Sequence, residues 1–176
     1  TATQDIMLAD MNVDGVERKV LMQAPKNGFF YVLDRKNGEL LKAHKYTEVN
    51  WATHVDMETG RPVENPEKDY TNEKQWILPG ALGGHNWQAM SFDPELGLVF
   101  IPEQKSTTIY KMTEEWQQTG KIKYKAKSWN TGIEIAKYLD LALTTLDAPI
   151  GTGSLKAFNP ISGKTEWEVK YPQHWN

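Results

Sequence analysis

Ala157-Phe158-Asn159-Pro160-Ile161-Ser162-Gly163-Lys164-Thr165-Glu166-Trp167 decides how this chain is read. Two strand-like runs, Ser154–Phe158 and Lys164–Val169, flank Asn159-Pro160-Ile161-Ser162-Gly163. An Asn or Asp at the start of such a turn caps backbone donors. A Gly at its end takes the positive φ that the reversal requires. The same grammar recurs in Leu33-Asp34-Arg35-Lys36-Asn37-Gly38 and in Phe92-Asp93-Pro94-Glu95-Leu96-Gly97. The copies lie about sixty residues apart, wider than the ~40–50 of common propeller blades, and long intervening loops account for the excess.

The hairpins extend outward from these turns. Ile6–Val13 and Val16–Ala24 flank Asp14-Gly15, a strong two-residue hairpin signal. A second turn at Pro25-Lys26-Asn27-Gly28 leads into Phe29-Phe30-Tyr31-Val32-Leu33, aromatic and β-branched as strands prefer. Lys36-Asn37-Gly38 then turns into Glu39–Ala43, so the chain opens with a four-stranded antiparallel meander. Trp87–Phe92 and Leu98–Pro102 form a second hairpin. Residues 45–84 and 103–152 read as long irregular loops, with one short helix suggested by Ile133–Leu139. No segment sustains a helical apolar period. The expectation is an all-β chain: a partial β-propeller of two to three antiparallel four-stranded blades. Its approximate units are residues 1–44, 85–102 and 153–176, within a single segment 1–176. A closed ring needs at least about four blades, which points to a piece of a longer protein.

The chain has 176 residues and no cysteine, which excludes a disulfide framework, a thiolate zinc site and a cysteine nucleophile within it. A formal net charge of −3 argues against a general nucleic-acid binder. Seven tryptophans and an 11% aromatic share argue against disorder. No apolar run approaches the ~20 residues of a membrane helix. His44, His54, His85 and His174 show no metal-ligand spacing and read as structural or surface residues. The acidic pairs Asp56/Glu58, Glu67/Asp69 and Glu114/Glu115 read as solvated loop residues. Gly151-Thr152-Gly153-Ser154 is not a phosphate loop, because no Gly-Lys-Ser/Thr follows it.

The last hairpin resembles the tryptophan-docking motif of quinoprotein dehydrogenases, Ala-x-Asp-x-x-Thr-Gly-Lys-x-x-Trp, with Asn159 in place of Asp and Ser162 in place of Thr. Ala24–Arg35 and Gly84–Phe92 are similar to segments of the pyrroloquinoline quinone (PQQ)-dependent alcohol dehydrogenases, and Thr1–Gln4 and Val49–Ala52 fall in that family's order. The resemblance covers the whole chain but only the middle third of a family protein. It implies an eight-bladed propeller in the periplasm, with PQQ and a calcium ion at the ring axis. It also implies oxidation of an alcohol to an aldehyde, with a cytochrome c or a quinone as electron acceptor.

Carried over residue by residue, the resemblance puts Lys26 beside the quinone oxygens and Asn86 and Trp87 against the cofactor. It makes Trp167 an inter-blade packing residue. The family's catalytic Asp, its Glu and Asn calcium ligands and its vicinal cysteines fall upstream of Thr1, so this chain carries no catalytic or metal residue and is expected to be inactive alone. Unpaired blades imply self-association. Taken alone, a Lys before Asn-Gly is usually a solvated turn residue, and Asn-Trp reads equally well as a turn cap beside a core aromatic. The competing reading is a non-catalytic propeller scaffold or assembly protein. A scaffold has no need of a cation and an Asn-Trp pair at the funnel. A sugar-binding β-module is a distant third.

Overall fold

Period-two alternation in the first quarter of the chain builds one sheet. The computed structural model describes residues 4–128, 130–134 and 151–172. Strands β1 (Met7–Val13), β2 (Val16–Gln23), β3 (Phe29–Asp34) and β4 (Leu40–Lys45) pair antiparallel in chain order. Val13 pairs with Val16 across Asp14 and Gly15, whose φ values of 53° and 87° give the type I′ geometry the dipeptide predicts. Met7, Met22 and Val32 stand in one cross-strand row, which places the apolar members of successive strands on one face. Val20, Met22, Phe30 and Val32 are fully buried on that face.

The second four-stranded sheet departs from the sequence expectation. Strands β8 (Ser91–Asp93), β9 (Leu98–Lys105), β11 (Thr152–Phe158) and β12 (Thr165–Lys170) lie in the order β12-β11-β9-β8. Residues 85–102 and 153–176, read as two separate units, thus join through the seven-pair ladder of β9 with β11, Lys105↔Thr152 to Val99↔Phe158. That pairing is non-local and leaves no turn signature in the sequence.

The two sheets share one core. Val20, Met22, Phe30, Val32 and Tyr46 pack with Met90, Val99, Ile101 and Phe158. The Phe30 and Phe158 rings meet at 5.3 Å between centroids. Burying an apolar side chain of this size contributes about 1.5–3 kcal/mol, so these residues hold the sheets together. β12 by contrast is exposed along its whole length, with Trp167 43% exposed and resting on Phe100 at 5.7 Å.

Residues 45–84 and 103–134 are not structureless. Short strands β5 (Ala52–Val55) and β6 (Pro62–Glu64) form one hairpin, and β7 (Gln75–Ile77) pairs with β10 (Thr108–Tyr110). A single 3-10 turn spans Pro66–Lys68. Helix α1 (Glu114–Thr119) is capped by the Thr113 side chain, which accepts from the Trp116 amide, and it ends at Gly120 with φ 64°. Ile133, placed at the start of a helix by the sequence reading, instead bridges Met112; residues 135–139 lie outside the described residues. These strands of three or four residues are too short for an alternation pattern to register.

The shared turn has a fourth copy that the sequence reading passes over, Val55-Asp56-Met57-Glu58-Thr59-Gly60 between β5 and β6. In all four copies the glycine amide donates to the carbonyl of the Asp or Asn four residues earlier, at 2.8–2.9 Å. The Asp or Asn Oδ1 accepts from amides inside the turn: Lys36 for Asp34, Glu58 and Thr59 for Asp56, Glu95 and Leu96 for Asp93, and Ile161 and Ser162 for Asn159. Asp56 is therefore a turn cap and not a freely solvated carboxylate. These amide bonds hold its carboxyl below the usual aspartate value.

Candidate functional site

The turn after β2 carries Lys26, and five successive carbonyls in it are each held by a donor. Ala24 O faces Nδ1 of His85 at 2.9 Å. Pro25 O accepts from the Tyr46 hydroxyl at 2.8 Å and from the Gly28 amide at 3.3 Å. Lys26 O accepts from the Gly84 amide at 3.1 Å, Asn27 O from Trp51 Nε1 at 3.1 Å, and Gly28 O from the Tyr46 amide at 3.1 Å. The Asn27 side chain closes the turn from within, accepting from the Phe29 amide and donating to the Tyr31 hydroxyl. Tyr46 is fully buried, and burial with the nearby Glu103 charge pushes its hydroxyl well above the usual tyrosine range, so it stays a donor.

This bracing fixes the backbone of Lys26 and leaves its ammonium unused. Among the described residues Lys26 makes no ion pair or hydrogen bond through its side chain, and it is half-buried. A cation held on a rigid turn without an internal partner can receive negative charge from outside the chain.

Residues 82–87 pack directly onto that turn. Gly83, at φ 87°, approaches Lys26 so closely that a Cβ there would lie 2.6 Å from Lys26 Cβ and Cγ. Gly84 is similarly close to Thr47, and its carbonyl accepts from the Gln104 amide at 2.7 Å. Asn86 is buried and donates to Leu82 O at 3.0 Å, while Trp87 is 66% exposed. His85, just before Asn86, is fully buried, with Nε2 2.7 Å from Gln88 O. Three buried side-chain oxygens around this loop have no partner: Thr47 Oγ1, Gln88 Oε1 and Gln104 Oε1. Buried polar atoms are nearly always bonded, so orphans gathered at one place suit a polar ligand or water.

A sequence profile of the glucose/ethanol/alcohol dehydrogenase β-propeller domain, the PQQ family, matches residues 55–174. The chain belongs to the PQQ dehydrogenase β-propeller family. It is 47% identical over its full length to quinohemoprotein alcohol dehydrogenase ADH IIB of Pseudomonas putida, and it covers 24% of that protein. It is 41% identical to the dehydrogenase subunit of the quinone alcohol dehydrogenase of Acetobacter aceti, again over its full length and 24% of the relative. The crystal structure of the quinohemoprotein alcohol dehydrogenase of Comamonas testosteroni superposes with a TM-score of 0.82 at 32% identity, over 99% of this chain and 25% of that one. The chain thus spans about a quarter of the length of the relatives it matches. The partial-propeller reading of the fold holds.

Within this PQQ-family segment the structure brings the Lys26 turn and the Asn86–Trp87 loop into contact through Gly83 and Gly84. In the sequence His85 reads as one more structural histidine; in the structure it touches the turn as well as the loop. The only sequence signal for this was its place beside Asn86. No three His, Asp or Glu side chains converge as a metal site among the described residues. His174 lies outside them.

Proposed function

We propose that this chain is the part of a PQQ-dependent alcohol dehydrogenase that forms one wall of the cofactor site. The observation that carries the reading is the rigid Ala24–Gly28 turn, which presents a partnerless ammonium beside the loop bearing Asn86 and Trp87. PQQ is a flat, anionic ortho-quinone. The residues here suit it in kind: a cation for the quinone oxygens, an aromatic face on the exposed Trp87, and unpartnered polar atoms behind the loop. Bound there, with Lys26, Asn86 and Trp87 holding it, PQQ would supply a two-electron acceptor for oxidation of an alcohol.

The chain's own contribution is electrostatic and positional. Lys26 supplies positive charge where negative charge develops, and the five braced carbonyls keep it in place without reorganisation during the reaction. Asn86 and Trp87 orient the cofactor edge. The catalytic carboxylate and the calcium ligands of the family belong to other parts of the protein in this reading, as does the route to a cytochrome c or quinone acceptor. Its periplasmic location and the self-association of the isolated chain are parts of the same proposal. Trp167, resting on Phe100 with its outer surface open, is placed to stack on a neighbouring blade. A non-catalytic scaffold would leave both the free ammonium and the exposed Trp87 without a purpose.

The test is reconstitution of the full-length protein with PQQ and calcium, followed by dye-linked oxidation of a primary alcohol, with Lys26→Ala alongside. Cofactor-dependent turnover lost on Lys26→Ala at full PQQ occupancy supports the reading. Unchanged kcat in that variant overturns it.

A further inference from the structure

We infer that His85 is a positioning residue for this site: its ring ties the turn that carries Lys26 to the loop that carries Asn86 and Trp87. The inference rests on the PQQ reading above and goes beyond it, because His85 itself is fully buried and cannot touch a ligand. Its two ring nitrogens reach two different segments. Nδ1 lies 2.9 Å from the carbonyl of Ala24, two residues before Lys26. Nε2 lies 2.7 Å from the carbonyl of Gln88, the residue after Trp87. A carbonyl oxygen only accepts, so each contact is a hydrogen bond when the facing nitrogen carries hydrogen: one of them in a neutral ring, both in an imidazolium.

The backbone around His85 is tied into the same knot. Its carbonyl accepts from Gln4 Nε2 at 2.8 Å, and Gln4 O accepts in turn from Gln23 Nε2 at 2.9 Å, on the last residue of β2. The neighbouring Gly84 amide donates to Lys26 O. Residues 84–88 and 23–26 are therefore joined directly at two points, His85 Nδ1 to Ala24 O and the Gly84 amide to Lys26 O, and once more through Gln4; the imidazole supplies one of these joins, and its Nε2 braces the loop against Gln88. An apolar residue of the same volume would fill the space and supply neither. The two segments would then be free to shift relative to each other, and the ammonium of Lys26 and the Asn86–Trp87 pair would lose their fixed separation. Sites that depend on such separations lose function with displacements of about 1 Å.

The experiment uses the full-length apoenzyme with His85→Phe, His85→Asn and His85→Gln. An Asn amide nitrogen stands near Nδ1 and can restore the Ala24 tie; a Gln amide nitrogen stands near Nε2 and can restore the Gln88 tie. Three quantities are read: PQQ affinity by fluorescence titration, amide hydrogen exchange at Gly84 and Gly28, and kcat at saturating PQQ. His85→Phe is expected to weaken PQQ binding by about tenfold or more and to speed exchange at Gly84, with Asn and Gln each recovering part. If His85→Phe does not fold, the Asn and Gln variants decide. PQQ affinity and kcat unchanged in both, or in a folded His85→Phe, reduce His85 to a packing residue and overturn the inference. Lys26→Ala run in parallel separates the two levels. An unchanged kcat there defeats the PQQ reading, whereas a loss there with normal His85 variants defeats this inference alone.

Discussion

His44 of β4 lies in the last hairpin turn, against Gly163. Its Nε2 is 3.0 Å from the carbonyl of Ile161, and a Cβ on Gly163 would sit 2.6 Å from its Cγ and 2.7 Å from its Nδ1. The first sheet is thus keyed into the second at a turn whose glycine serves two purposes. It supplies a φ of 72°, and it makes room for an imidazole from the neighbouring sheet.

Gly163→Ala should therefore cost more than its backbone conformation alone explains. A left-handed conformation costs a non-glycine residue about 1–2 kcal/mol. Gly97→Ala provides the comparison, because Gly97 has a similar φ of 66° and nothing within 4 Å of its missing Cβ. Denaturant midpoints should place Gly163→Ala clearly below Gly97→Ala. Adding His44→Ala should recover part of the difference, since the clash partner is then gone. Equal midpoints for the two glycine variants would show that the turn yields without cost.

Lys26→Ala in the full-length protein should lower kcat far more than it lowers PQQ retention. On the proposed reading, charge on the acceptor grows as the hydride arrives, so an ammonium there would stabilise the transition state more than the resting complex. Loss of one such donor typically costs ~10²–10³ in kcat. Lys26→Arg should keep much of the activity, because the cation remains, though a planar fork fits a site shaped for an ammonium less well. Steady-state kinetics with spectroscopic PQQ occupancy checks both expectations.

The parts of this fold that the sequence displays are the local ones. The meander of β1 to β4 is legible because each of its turns carries its own chemistry, Asp14-Gly15, Asn27-Gly28 and Asp34–Gly38, within a few residues of the strands it joins. The ladder of β9 with β11 is not legible, because 46 residues separate Lys105 from Thr152 and the partners carry no mark of one another. The turn at Asp56–Gly60 has the full Asp-x-x-Thr-Gly pattern but hides in a polar stretch between strands of three and four residues. Glu103 and Lys156 occupy inward positions where the pattern expects apolar residues, so a reading of hydrophobic alternation takes them for surface. Lys26, Asn86 and Trp87 stand out in the sequence only through the family resemblance. The sequence says nothing of the carbonyl bracing that makes the turn rigid, since its donors come from residues as distant as Tyr46, Trp51 and His85.

Acid should loosen the turns before it affects the apolar core. The carboxyl of Asp34 lies below the usual aspartate value of 3.8, first because of the Lys36 amide and then because of Arg18, whose guanidinium is 2.9 Å away. Asp56 is lowered by the Thr59 and Glu58 amides. A carboxyl whose folded value is depressed contributes stability that is fully present above its unfolded value and is lost as pH falls through the folded one. Urea midpoints should therefore hold steady down to about pH 5 and decline from there to about pH 2. Asp34→Asn should flatten part of that decline, because the amide still caps the turn but no longer titrates. A variant with an unaltered acid limb would show that Asp34 contributes nothing to it.

The strongest single stability effect should come from the buried pair Glu103 and Lys156. Their side chains are 1% and 8% exposed, and Lys156 Nζ lies 2.9 Å from Glu103 Oε1. Ser154 Oγ donates to the other carboxylate oxygen at 2.8 Å, and Lys156 also donates to the carbonyl of Tyr46 at 2.9 Å. Replacing one member leaves a charge in the core without its counterion, which costs about 3–5 kcal/mol. Glu103→Leu and Lys156→Met should each fall in that range by denaturant unfolding. The double variant should cost much less than the two together, because no lone charge remains; what persists is the lost partner of Ser154 Oγ and of Tyr46 O. Lys156→Met should also reach the candidate site. Tyr46 loses the donor that holds its carbonyl while its hydroxyl still holds Pro25 O, so hydrogen exchange at the Gly28 amide, which shares Pro25 O, should quicken. Additive single and double costs, with exchange at Gly28 unchanged, would mean that the pair is neither coupled nor linked to the Lys26 turn.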